Sequence, residues 1–159
     1  MNITRNIIKL PSEERLSQAL ELYQPALREA SYYGIAQAIV DDIEYKTQDM
    51  SYKELAISFK FLLRKYLTRI VNITVVDIDY LESIANNLFK ISHLSQQPTN
   101  TKTSKCFLSF IGFGDFISHE TLDNINKNFE VFSKGYTAGK WYCEDVIGGD
   151  KLQGVANGG

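Results

Sequence analysis

The stretch SYKELAISFKFLLRKYLTRIV, residues 51–71, decides how this chain is read. Ser51 and Glu54 stand three residues apart, the spacing of a capping box: the serine hydroxyl accepts a first-turn N–H, and the glutamate reaches back to the cap. Leu55, Phe59, Leu62, Leu63, Tyr66, Leu67 and Ile70 then recur at three- and four-residue intervals, which lays them along one stripe of a helix. Ile57 and Phe61 fall off that stripe, toward the opposite side. A helix apolar on more than one side is covered by several neighbours or by a partner. The spacing therefore predicts a central helix over 51–71, ending at Asn72 as its C-cap.

Upstream, residues 1–10 alternate weakly, as a short extended arm would. Pro11 and Ser12 then open a helix with Glu13 and Glu14 in its first turn, where the backbone dipole favours acids. Leu16, Ala19, Leu20 and Tyr23 form its stripe. Proline suits a first helical turn, so Pro25 marks a kink or a restart. The run 25–46 turns Leu27, Ala30, Ile35, Ile39 and Ile43 inward, and Gly34 weakens its middle by about 1 kcal/mol relative to alanine. Asp41, Asp42 and Glu44 make an acidic patch near its end.

Downstream, the β-branched run 73–76 reads as an extended connector. Asp79 and Glu82 repeat the capping spacing, and Leu81, Ile84, Ala85, Leu88 and Ile91 define a helix to about residue 94. Residues 95–105, SQQPTNTKTSK, hold no apolar side chain and read as a linker or long loop. The aromatic stretch 106–118, CFLSFIGFGDFIS, is open between strand and helix, because periodicity does not separate the two in a short run. Ser118 caps a helix that places Leu122, Ile125, Phe129 and Phe132 on one side, and Gly135 reads as its left-handed stop. The predicted fold is mainly α. A bundle of three or four helices spans 1–94, followed by a polar linker over 95–105. An aromatic-rich helical unit over 106–147, with room for one short strand or hairpin, packs on the bundle ahead of a glycine-rich tail, 148–159.

Composition narrows the function classes. A formal net charge of −2 gives no bulk attraction to nucleic acid or anionic membrane, although it permits a local basic patch. The N-terminus lacks the apolar core and small-residue cleavage site of a signal peptide, and no apolar run is long enough to span a bilayer. Two cysteines, Cys106 and Cys143, cannot make a disulfide scaffold, and with His93 and His119 they would all have to converge to hold one zinc ion. The expectation is a cytoplasmic chain with no metal, no cofactor and no membrane partner.

No catalytic motif is complete. Gly135-Tyr-Thr-Ala-Gly139-Lys140-Trp141 has one residue too few between its glycines for a phosphate loop, and tryptophan stands where a magnesium-binding hydroxyl belongs. Gly112-Phe-Gly114 lacks the third glycine of a dinucleotide turn, with Ile117 in its place. His119-Glu120 is followed by Asp123, so the zinc-protease pattern is missing. A Cys143–His119 nucleophile pair is left open, since such residues meet in space rather than in sequence. His93 stands near a helix C-terminus, where the dipole favours a charged imidazole.

The basic side of 51–71 carries the functional reading. Lys53, Lys60 and Arg64 lie together on a helical projection beside Ile57 and Phe61, while Lys65 and Arg69 lie elsewhere. Such cations pair with a patch like Asp41–Glu44, or they flank an apolar anchor in an interface. Ile57, Lys60, Phe61 and Arg64 are taken as the partner-binding residues of a non-enzymatic interaction module that binds another protein or an assembly. One alternative is a nucleic-acid-associated subunit using the same cations; another is an enzyme whose site converges in the C-terminal unit.

Overall fold

Two of the helices begin at a proline, whose missing N–H is one that a first turn leaves unpaired anyway. The computed structural model describes residues 11–70, 75–94 and 117–148. Helix α1 is Pro11–Leu20 and α2 is Pro25–Lys46, with a non-helical break over 21–24, so Pro25 restarts the helix rather than kinking it. Tyr23 falls in that break and is exposed, not part of the α1 stripe. Helix α3, Tyr52–Leu67, has the full capping box: the Glu54 N–H donates to Ser51 Oγ and the Ser51 N–H to Glu54 Oε1, each at 3.1 Å. It closes with Thr68 as C-cap, short of the expected Asn72.

Helix α4, Val75–Leu94, begins before Asp79, which therefore lies inside the helix and not at a cap. Helix α5, His119–Lys127, starts at Ser118, whose Oγ accepts from the Thr121 N–H at 3.1 Å. Asn128 leaves helical geometry for one residue, and the chain re-enters helix α6, Phe129–Tyr142. That interruption shifts the helical phase, so Phe129 is exposed while Leu122, Ile125 and Phe132 are buried. A π-helical turn, Cys143–Ile147, follows, and Gly148 ends it with φ 93, in the left-handed region. Among the described residues there are six α-helices and no strand, a mainly α chain. The expected arm 1–10, linker 95–105, strand-or-helix stretch 106–116 and tail 149–159 lie outside the described residues.

Among the described residues the central helix is α2, not α3. Helix α2 packs against every other described helix and against the π turn, whereas α3 packs mainly on α2 and α4. Every residue of 30–36 in α2 is buried, a run longer than one turn, so no side of that stretch faces water. The α3 stripe is nonetheless buried as expected, with Leu62, Leu63 and Tyr66 fully enclosed. Its Phe59 ring stacks on Phe89 of α4 with centroids 4.1 Å apart.

Among the described residues the most extensive contact joins α2 to α6, and glycine permits it. A Cβ added at Gly34 would overlap the Phe132 carbonyl oxygen, and one at Gly135 would overlap that of Ser31. One at Gly139 would meet the Ala38 Cβ at 2.9 Å. Gly135 is thus not a helix stop: α6 runs through it, and Gly135 and Gly139, one turn apart, form a flat seam facing Gly34 and Ala38. The local cost of glycine in a helix is outweighed by the close approach of two backbones, which also reverses the expected role of Gly34.

Candidate functional site

Helix α3 buries one face completely and leaves the other open. Ile57 is 80% exposed and Phe61 is 57% exposed, one turn apart on that outer face. Lys60 and Arg64 are exposed beside them, so the four expected residues share a surface. Arg64 has a second engagement, because its Nη2 lies 3.3 Å from Glu82 Oε1 of α4, and the Glu82 side chain is only 10% exposed. Lys65, expected elsewhere, places its Nζ 5.5 Å from the centroid of the Phe61 ring. The four-residue spacing from 61 to 65 was the signal for that cation–π contact. Among the described residues no ion pair involves Lys53 or Lys60.

The acidic patch on α2 does not neutralise those cations; each of its carboxylates is engaged elsewhere. Asp42 Oδ2 accepts from Tyr66 Oη at 2.6 Å and pairs with Lys46 Nζ at 2.8 Å. Lys46, whose side chain is 7% exposed, also donates to the Gly148 carbonyl and so holds the end of the π turn. Asp41 accepts from Tyr136 Oη at 2.6 Å and from Gln37 Nε2 at 2.9 Å. Tyr142 Oη donates to the Tyr66 carbonyl at 2.5 Å. Burial pushes the Tyr66 and Tyr136 hydroxyls well above their ordinary value, and the acceptor carboxylates add to the shift. These are hydrogen-bond donors that stay protonated. They clamp α2, α3 and α6 together.

Glu44 faces α4 instead. Ser92 Oγ donates to Glu44 Oε2 at 2.8 Å, and His93 Nε2 lies 3.7 Å from the same oxygen, beyond hydrogen-bond reach. The imidazole packs on the Tyr52 and Phe89 rings, with centroids at 4.1 and 4.5 Å, and its Nε2 is buried without a hydrogen-bond partner. Burial, opposed by the Ser92 hydroxyl and aided by Asp41, raises the Glu44 carboxyl from 4.5 to about 7. Burial lowers the His93 imidazole. The helix-end dipole expected to favour charged His93 is therefore overridden by desolvation. Sequence reasoning missed this cluster, because nothing local ties residue 44 to residues 92 and 93.

A cleft of about 540 Å³ opens where Asp41, Asp42, Tyr45 and Lys46 of α2 meet Tyr136 and Lys140 of α6. Cys143 also lines it, and burial raises the thiol far above its ordinary value, with Asp42 adding to the effect. A nucleophilic cysteine needs the opposite shift. His119 is exposed at the start of α5, whereas Cys143 is buried. Among the described residues no group of three or more His, Cys, Asp or Glu is placed to hold a metal ion, and no helix is long and apolar enough to cross a membrane. No protein-family model, curated protein or solved structure matches this chain.

Proposed function

We propose that this protein is a non-enzymatic cytoplasmic interaction module, an inhibitor, immunity-like, adaptor or assembly subunit, that holds a protein partner on the outer face of α3. The observation that carries the reading is the pairing of Ile57 and Phe61, large apolar side chains left open on a helix whose other face is fully buried. Lys60 and Lys65 flank them, and α2 does not neutralise either cation. Apolar and aromatic anchors form the centre of an interface and charged groups its rim, so the complement of this face is an apolar socket with an acidic rim. Arg64 serves this face less than Lys60 does, because it also neutralises Glu82.

The test compares affinity capture from the source cells by the full-length protein and by Ile57→Ser and Phe61→Ser variants, with quantitative mass spectrometry. On this reading one protein is lost from both variants while their melting temperatures hold, and nuclease treatment changes nothing. Capture that disappears on nuclease treatment and falls steeply with salt would replace the reading with a nucleic-acid-associated subunit. Identical captures by wild type and both variants would end it.

A further inference from the structure

The ends of three helices meet around one carboxylate. Glu44 stands in the last turn of α2, Ser92 and His93 lie in the last turn of α4, and Tyr52 is the first residue of α3. The Tyr52 and Phe89 rings pack on the imidazole, whose Nε2 lies 3.7 Å from Glu44 Oε2. Ser92 Oγ donates to that same oxygen at 2.8 Å, so the last turn of α4 is tied to α2 through Glu44.

Such a tie depends on the charge of the carboxylate. The groups that act on Glu44 are Ser92 and His93 from α4 and Asp41 from its own helix, while α3 contributes the Tyr52 ring that packs on the imidazole. Asp41 opposes a second negative charge, and the Ser92 hydroxyl is a neutral donor. Among the described residues no lysine or arginine pairs with Glu44; Lys46, two residues on, is held by Asp42 and the Gly148 carbonyl. Burial also disfavours a charged imidazole, so His93 does not supply the missing cation at neutral pH. A protonated Glu44 needs no cation, and its proton is a donor for Nε2, the buried atom that has no partner among the described residues. An ionised Glu44 is a largely buried carboxylate without a counter-charge, and its solvation favours any arrangement that lets water reach it. We propose that Glu44 is a proton-operated latch: protonated, it holds the last turn of α4 on α2, and ionised, it releases residues 92–94 while fully buried Ile91 keeps the rest of α4 in the core. The latched carboxyl sits at about 7 and a released one returns to its ordinary 4.5, so the latched form holds its proton more tightly and release grows as pH rises between those values. The proposal does not rest on the outer face of α3.

The experiment follows amide hydrogen exchange residue by residue by NMR, on the full-length protein from about pH 5 to pH 8, with each rate divided by that of an unstructured chain at the same pH. Relative to Glu44→Gln, the wild-type amides of residues 92–94 should open at least about tenfold more often at the upper end of that range than at the lower. Mild urea should leave this exchange unchanged, because a local opening exposes little surface. His93→Phe keeps a ring against Tyr52 and Phe89 and removes the titrating nitrogens, so the pH dependence should survive it. Equal opening in wild type and Glu44→Gln across the range would overturn the proposal, as would loss of the pH dependence in His93→Phe. Exchange at 92–94 that accelerates with urea as steeply as that of buried residues 30–36 would overturn it too, since it would then report unfolding of the whole chain.

Discussion

Replacing Glu44 with glutamine should remove a pH dependence from the stability of this protein, and the structure gives both its sign and its size. The folded carboxyl sits at about 7 against an ordinary 4.5, chiefly through burial. A group whose folded value is raised binds its proton more tightly in the native state, so the folded protein loses stability as pH rises between those two values. A shift of that size corresponds to about 3 kcal/mol at most. A quarter of the side chain is still open to water, at 26% exposure, so about 1–3 kcal/mol is the working range. Glutamine keeps the acceptor that Ser92 uses but carries no charge to desolvate. Urea denaturation across pH 5 to 8 should therefore show the variant equal to wild type near pH 5 and more stable by about 1–3 kcal/mol at pH 8. Lowered His93 acts in the other direction and only below its ordinary value of 6.5, where the unfolded chain takes up a proton that the folded imidazole resists. Superimposable pH profiles would refute the reasoning. A variant less stable than wild type at pH 8 would refute it more strongly, since that result means Glu44 is ionised and paired with charged His93.

Three further outcomes follow from the packing. Gly135→Ala should destabilise by about 1–3 kcal/mol or prevent folding, because the new Cβ meets the Ser31 backbone; helix propensity alone predicts a gain of about 1 kcal/mol, so thermal melting separates the two signs. Leu62→Ala should cost about 2–5 kcal/mol in urea, whereas exposed Phe61→Ala should stay within about half a kcal/mol, and equal losses would mean the outer face of α3 is covered. Arg64→Ala should cost about 1–3 kcal/mol by leaving nearly buried Glu82 without its cation; the double change with Glu82→Gln should recover most of that loss, and a double variant as unstable as the single would show that the pair contributes nothing.

What the sequence determined by itself was local. The capping box at Ser51, the cap at Ser118 and the proline starts at Pro11 and Pro25 are settled within a few residues by hydrogen bonds and ring geometry, and each is where the residues put it. The buried stripes of α3 and α4 were legible for the same reason, since periodicity is a property of one helix. The outer-face positions of Ile57, Lys60, Phe61 and Arg64 were legible too, though the engagement of Arg64 with Glu82 and of Lys65 with Phe61 was not. Tertiary structure alone decided which helix is central. The stripe of α3 reads clearly in one dimension, whereas residues 30–36 of α2 are buried on every side and so show no stripe. Gly135 shows the physical reason most plainly: locally it is a helix stop, and only the backbone of Ser31, a hundred residues away in sequence, makes its missing side chain a requirement of packing. Glu44 and His93 follow the same rule, because the charge each prefers depends on how much water the neighbouring helices exclude, and no local pattern of residues encodes that.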